Sequence, residues 1–358
     1  MLPANLPSKN LSPVFPPQNV PRPKILFIVS SFNNERFITE SLLAIIDQKG
    51  DAQKKILVVD DGSSDKSVLK VQMLMYQYPE IKVLQQKHQG QASALNLGLE
   101  KAKDYDFIAF VEADVKIEKK WLQKNLPLFQ RPAIMGVGGS LKPFPKDNWI
   151  ARLAGREIEY KLIKQKHHPL HLTSASVIYR ASIFKKVGYF RTDLKNSSFD
   201  VELNLRIKNV HGRLIYNPKA WAWHHYKPTL SAFLKRSYAY ARFRPHLHDI
   251  SLYPYDHIIK FQIILVSLTA PILLLTIILN SSLLFILFLI CSISYFLLTL
   301  PPVIWTLKNR KDLVMLLYPA ISILRNSVAL LGLGVGILEY RRTLKHKKIL
   351  YAKHFKEF

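Results

Sequence analysis

The stretch FIAFVEADVKI, residues 107–117, runs five apolar or small residues straight into two carboxylates separated by one residue, Glu112 and Asp114. An apolar run of this length that ends in acidic residues predicts a buried strand opening onto a polar rim. Upstream, KILFIVSSF from Lys24, KKILVVDDGSSD and IKVLQQ read as further strands. Between them lie helical patterns: ERFITESLLAIIDQ, a segment through Met75, and QASALNLGLEKAK. Strands separated by helices predict an α/β domain with a mostly parallel, doubly wound sheet. In such sheets ligands bind beyond the carboxyl ends of the strands. The polar residues cluster there: Asn33 and Glu35 after the first strand, Asp60 and Asp61 after the second, Glu112 and Asp114 after the fourth.

Glu112 and Asp114, two residues apart at a strand end, face the same way and can meet one hard cation. Oxygen ligands beside a phosphate favour Mg2+ or Mn2+ over zinc. The chain has neither G-x-G-x-x-G nor G-x-x-x-x-G-K-[ST], and GVGGS at 136–140 is the nearest approach to a phosphate loop. A bound diphosphate would therefore have to be met by a metal ion and basic side chains.

The net charge is +26, from 51 basic and 25 acidic residues, which implies an anionic partner. Zinc-finger spacing, an RRM signature and bZIP heptads are absent, which argues against nucleic acid and leaves anionic lipid or phosphate. The single cysteine, Cys291, rules out an internal disulfide framework. The proline-rich first 24 residues lack the apolar core of a signal peptide and are expected to form a disordered leader.

Ile258–Leu279 is 22 residues with Lys260 as its only charge, and Leu283–Trp305 is 23 residues with none. At about 1.5 Å per residue either helix spans a hydrocarbon core of about 30 Å. Both predict transmembrane helices, joined by Asn280, Ser281 and Ser282. A third apolar segment, Leu313–Leu338, carries Arg325 and Asn326 at its middle, besides Pro319 and three glycines. A central charge costs about 2.5–3.5 kcal/mol there. Basic residues lie on both sides of this segment, in TLKNRKD and in the tail after Leu338. The positive-inside rule then favours a re-entrant or interfacial third segment over a third crossing.

The motifs SSFNNERFI, LVVDDGSSD, HQGQASALNLGLEKA, FVEAD, VGYF and SSFDVELNLRI follow one another in that order. Together they resemble the family-2 glycosyltransferases of GT-A fold, over about residues 25–245. The resemblance implies a Rossmann-like nucleotide-sugar domain followed by transmembrane helices, and it implies roles for single positions. Ser31, Asn33 and Glu35 would line the nucleoside end, and Asp61, or Asp60 beside it, would accept from the base. Asn96 would lie near the diphosphate. Asp114 would bind the metal, with Glu112 facing the ribose or a metal-bound water. Asp200 matches the general base. HHYKPTLSAFLKRSYAYARF, carrying Arg236, Tyr240 and Arg242, reads as an amphipathic helix whose basic residues would grip a donor diphosphate or a lipid phosphate, or anchor the domain on headgroups. His224 and His225 would touch the metal or serve packing and hydrogen bonding, and His167, His168 and His171 would form a loop over the site.

The chain departs from the family pattern at Ser30, where proline is usual, at Glu112, where aspartate is usual, and at Phe199, where glutamate precedes the base. The Q-x-x-R-W pattern of processive synthases is missing, and two or three apolar segments are too few to enclose a polysaccharide channel. The expected organisation is a leader over 1–24, a GT-A catalytic domain over 25–228 and an amphipathic interfacial helix with connector over 229–257. A transmembrane hairpin over 258–305, the third apolar segment over 306–338 and a basic cytoplasmic tail over 339–358 would follow. The expected activity is inverting, metal-dependent transfer of a sugar from a nucleotide-diphosphate donor to a lipid-linked or glycan acceptor at the cytoplasmic membrane face. The alternatives are a polyprenyl-phosphate sugar synthase and a non-catalytic membrane adaptor that retains the nucleotide-sugar fold.

Overall fold

The computed structural model describes residues 22–165, 169, 172–194, 198–247 and 256–354, the side chains of 246–257 and 344–354 excepted. The leader up to residue 21, His167, His168, His171 and part of the connector lie outside the described residues.

Strands β1 (Lys24–Ser31), β2 (Gln53–Asp60), β3 (Ile81–Gln85) and β4 (Phe107–Val111) alternate with helices α1 (Ile38–Ile46), α2 (Ser67–Gln77) and α3 (Gln91–Leu99). Next come β5 (Val115–Ile117), α4 (Trp121–Asn125), β6 (Ile134–Pro143), α5 (Trp149–Lys164), β7 (Ser176–Arg180), α6 (Ser182–Val187), α7 (Phe199–Asn209), β8 (Arg213–His224) and α8 (Leu230–Phe243). The eight strands form one sheet in the order β3-β2-β1-β4-β7-β6-β8-β5. β3, β2, β1 and β4 are parallel, β7 is antiparallel to β4 and β6, and β6 and β8 are parallel. Every residue of β1 after Lys24 is buried, as expected of a strand covered on both faces. The GVGGS run lies inside β6, where a Cβ on Gly136 would meet the Tyr179 ring at 2.7 Å. Its glycines permit close packing, not phosphate binding.

The short strand β5 positions the site. It pairs antiparallel with β8, Val115 opposite His224, and the His225 amide donates to the Asp114 carbonyl at 3.0 Å. Residues 109 and 111 positions apart in the chain thus meet beside the acidic pair.

Helices α9 (Asp256–Leu279) and α10 (Ser282–Arg310) pack as a hairpin around Asn280, whose φ is 43°. A 3-10 turn over Leu313–Leu317 then leads into α11 (Tyr318–His354). Ile258–Leu279, Ser282–Arg310 and Leu313–Thr343 are each long and apolar enough to cross a membrane by length and composition.

From Tyr318 onward the third segment is one continuous helix. Pro319 stands at its second residue, where a missing amide costs nothing. Arg325, priced by the sequence argument as a lone charge, is buried and fully engaged. It donates to Glu157 of α5, to the Tyr318 hydroxyl at 3.1 Å, to Asn326 Oδ1 at 3.0 Å and to Gln262 Oε1 at 3.2 Å. A second group of ions joins α5 to the end of α10. Glu159 accepts from Arg156 and Arg310 at 2.7 Å each, and Asp312 accepts from Arg152 and Arg156.

Helix α11 also lies against α8. A Cβ on Gly332 would come within 2.5 Å of the Tyr238 carbonyl oxygen, and one on Gly336 would strike the Arg242 carbonyl. Only glycine lets the two backbones approach so closely.

Candidate active site

A cleft of about 490 Å3 opens at the carboxyl ends of the central strands. Ser31 ends β1, Asp61 follows β2, Glu112 and Asp114 follow β4, and His224 to Lys227 close β8. Asp200 on the first turn of α7 and Arg236 and Tyr240 on α8 complete the wall. Acids from three separate segments, Asp61, Asp114 and Asp200, therefore face one cavity.

The loops after β1 and β2 clamp each other. The Asn33 side chain accepts from the Ser64 amide at 2.9 Å, Glu35 from the Lys66 amide at 2.9 Å, and Asp65 in return from the Glu35 amide at 2.9 Å. Asp60 accepts from the Ser63 amide at 2.9 Å. Gly62, at φ 77°, turns the chain where a Cβ would sit 2.9 Å from the His88 amide. Asn33, Glu35 and Asp60 thus shape the loops and do not line the cleft.

Asp61 lines the cleft and is largely engaged. Its Oδ1 accepts from Gln86 Nε2 at 2.7 Å and the Gln89 amide at 2.8 Å, and its Oδ2 from the Gly90 amide at 2.8 Å, with His88 Nδ1 2.9 Å from Oδ2 and 3.2 Å from the Asp61 carbonyl oxygen. A carboxylate offers about four acceptor positions, so three of them are spent on the loop after β3. Its visible work is to fix the loop that carries His88, which stacks on Phe32 at 4.1 Å at the cleft wall.

Asn96 exchanges two hydrogen bonds of 2.9 Å with the backbone of Phe190, which ties α3 to a loop outside the cleft. Arg242 does not line the cleft, and two of its three guanidinium nitrogens are held by Glu339 of α11 at 2.5 and 2.9 Å. Arg236 does line it.

Glu112, Asp114 and His224 each offer an atom within 4.8 Å of the others'. Glu112 Oε1 accepts from Gln91 at 2.8 Å and Ser174 at 3.2 Å, which leaves Oε2 turned to His224 at 3.8 Å. His224 Nε2 lies 3.5 Å from Asp114 Oδ1. These distances are too long for good hydrogen bonds, and the buried Nδ1 of His224 has no partner among the described residues. A buried imidazole so poorly satisfied, facing two carboxylates across such a gap, fits a divalent cation between them. The expected oxygen-only pair thus becomes a set that includes a nitrogen. Burial alone would raise the Asp114 carboxyl, but the charge of His224, its contact and Lys227 outweigh burial and hold it below the usual carboxylate range. His225 takes the packing role: it stacks between Phe37 and Phe144 at 4.1 and 3.7 Å and bonds Asp147 at 2.9 Å.

Asp200 behaves in the opposite way. Burial pushes its carboxyl up to about 6, and the nearby Glu112 charge adds to this against a hydrogen bond from the Val201 amide. Phe199, which replaces the usual acid before it, is buried edge-on against Phe190 at 5.4 Å. Glu202 is engaged by Arg206 at 2.7 Å.

Sequence reasoning assigned no role to Gln91, Ser174, Tyr226 or Lys227, all of which surround the acids. None lies in a pattern that marks it, although the HHYK that contains the last two directly follows a strand-like run.

Residues 26–188 match the family described as "Glycosyl transferase family 2". Among curated proteins the chain is 24% identical over 227 residues to a poly-beta-1,6-N-acetyl-D-glucosamine synthase of Staphylococcus aureus (strain COL), covering 61% of this chain and 54% of the relative. It is 29% identical over 195 residues to a pre-mycofactocin glycosyltransferase of Mycobacterium tuberculosis (strain CDC 1551 / Oshkosh), covering 52% of this chain and 40% of the relative. The chain thus spans about half the length of the curated relatives it matches. A mannosyltransferase from Pyrobaculum calidifontis, solved with GDP-Man and Mn2+, superposes with a TM-score of 0.55 at 16% identity over 87% of each chain. That likeness is one of fold, a GT-A-like α/β arrangement with a curled, mostly parallel sheet.

Proposed function

We propose that this chain, which carries a family-2 glycosyltransferase domain, moves a sugar from a nucleotide-diphosphate donor to a hydroxyl of a lipid-linked or glycan acceptor, with inversion and at a membrane surface. The observation that carries the reading is the pairing of two unlike acids in one cleft: Asp114 held below the carboxylate range, and Asp200 raised to about 6. Carboxylates pushed apart in this way suit different tasks, one to stay charged and one to take a proton.

Asp200 is the proposed base, able to accept the proton of an incoming hydroxyl near neutral pH. A phosphate nucleophile arrives ionised and would leave such a base idle, which favours a hydroxyl over a polyprenyl phosphate. A divalent ion bound by Asp114, Glu112 and His224 would neutralise charge on the departing diphosphate. The imidazole in that set supports Mn2+ over Mg2+. Arg236, Lys227 and Lys235 add positive charge along the same cleft. The clamped loops after β1 and β2, with the Phe32 and His88 stack, form the proposed nucleoside end. A membrane adaptor would have no use for the raised acid.

The membrane assignment rests on α9 and α10 as the transmembrane hairpin. Helix α11, bound along α8 and to Glu157, supports an interfacial place for the third segment. Incubating membranes that contain the chain with a panel of labelled nucleotide sugars, with and without chelator, tests the activity. Asp114→Ala should weaken Mn2+-dependent binding of UDP or GDP, measured by calorimetry, by more than the about 10–100-fold that loss of a residue behind the ligands costs. Product formation that is indifferent to chelation would remove the metal.

A further inference from the structure

We propose that the groove between α8 and α11 seats the hydrocarbon chain of a lipid acceptor whose phosphate meets Lys235 and whose hydroxyl-bearing headgroup enters the cleft. This rests on the transferase reading above and adds the class of acceptor and the path it takes.

The groove measures about 550 Å3 and is lined by Leu230, Ser231, Leu234, Lys235 and Tyr238 of α8 and Val328 of α11. That size lies within the range of about 300–1,000 Å3 typical of ligand pockets. Leu230, Leu234 and Tyr238 are four residues apart and form one stripe of α8. Lys235 lines both this groove and the catalytic cleft, and its neighbours Arg236, Ala239 and Tyr240 line the cleft. The helix therefore turns an apolar face to the groove and a polar face to the site, with an ammonium at the edge between them.

The two ends of the groove differ. At one end Gly332 brings α11 against the Tyr238 backbone, which leaves no room for a guest. On the other wall, Val328 shares a helix face with Leu324 and Leu331, which are 47% and 66% exposed. An exposed apolar face of this kind on a helix of near-membrane composition opens to the bilayer. The slot is thus apolar towards the lipid, blocked at the glycine crossing and cationic where it meets the cleft. A chain followed by a phosphate followed by a hydroxyl matches that order. Neither a second copy of the protein nor a free sugar acceptor does.

The test uses the full chain in phosphatidylcholine nanodiscs that contain a phosphatidylglycerol with a diazirine in its acyl tail. A diacylglycerol with the same tail is the control. After irradiation, labelled peptides should include residues 230–238 and the peptide around Val328, with preference for the phosphate-bearing probe. Lys235→Gln should abolish that preference. Leu234→Trp and Val328→Trp fill the slot from opposite walls, and each should lower the label about tenfold, as expected when two methylenes are excluded. Mn2+-dependent UDP and GDP binding, measured on the same samples, should persist in both and reports that the fold is intact. Label confined to α9 and α10, equal labelling by the diacylglycerol, or indifference to both tryptophans with nucleotide binding intact would each overturn the proposal. Groove labelling in a wild-type chain that binds no nucleotide would instead support the groove and sink the transferase reading.

Discussion

Replacing Asp200 with asparagine should produce a chain that is both inactive and more stable. The carboxyl stands on the first turn of α7, where the helix dipole favours a negative charge by about 0.3–1 kcal/mol. Burial outweighs this and moves it from 3.8 to about 6. Holding that group ionised at neutral pH costs the fold about 3 kcal/mol at most, less where cleft water reaches the carboxylate. Asparagine keeps an oxygen for the Val201 amide, which now donates at 2.8 Å, and carries no charge to bury. For a domain of this size about 3 kcal/mol corresponds to a Tm rise of about 6–12 °C. The gain depends on pH in a defined sense. Below pH 3.8 folded and unfolded wild-type chains both hold the proton and nothing is lost, whereas above pH 6 both are ionised and the full cost applies. Thermal unfolding in detergent, followed by intrinsic fluorescence, should show a wide gap between variant and wild type near about pH 7.5 that narrows towards about pH 4. Sugar transfer should fall about 10^2–10^4-fold. A variant less stable than wild type at neutral pH, or one that still turns over, would refute the buried-base argument.

Three further outcomes follow from the same geometry. Wild-type turnover should rise with pH through about 6 and then level, because the base works only when ionised; initial rates at saturating donor measure this. Arg325→Leu should destabilise the chain by less than the about 3–5 kcal/mol of a fully orphaned buried charge, since Glu157 keeps Lys161 at 2.6 Å, while Arg325→Leu combined with Glu157→Leu should recover only part of the loss in thermal unfolding, because Lys161 then lacks its carboxylate. Gly336→Leu should separate α8 from α11 and, because α8 carries Lys235 and Arg236 on the cleft wall, lower both turnover and nucleotide affinity, which steady-state kinetics and calorimetry would measure.

The parallel half of the fold was legible because buried strands and amphipathic helices write their periods into the chain, and the strands and helices from Lys24 to Val111 fall where those patterns lie. The acids at the strand ends were legible for the same reason. What could not be read was how far their valences were already spent. Asp61 has the right type and place, but its oxygens are largely taken by a loop 25 to 29 residues away in the chain. His224 was ambiguous because the pairing of β5 with β8 decides its neighbours, and a three-residue strand leaves almost no trace in sequence. The partners of Arg325 could not be read because a hydropathy argument treats a helix as surrounded by lipid and cannot see a glutamate 168 residues earlier.

The ion pairs between α5 and the C-terminal helices bear on any attempt to work with the α/β half alone. A fragment cut before α9 would expose Glu157 and Glu159 without their arginine partners from α10 and α11, and would free α8 from the glycine seam that holds one wall of the cleft. Such a truncated protein would gain solubility at the expense of the very geometry under study, so biochemical work on this chain calls for detergent, nanodiscs or native membranes from the outset.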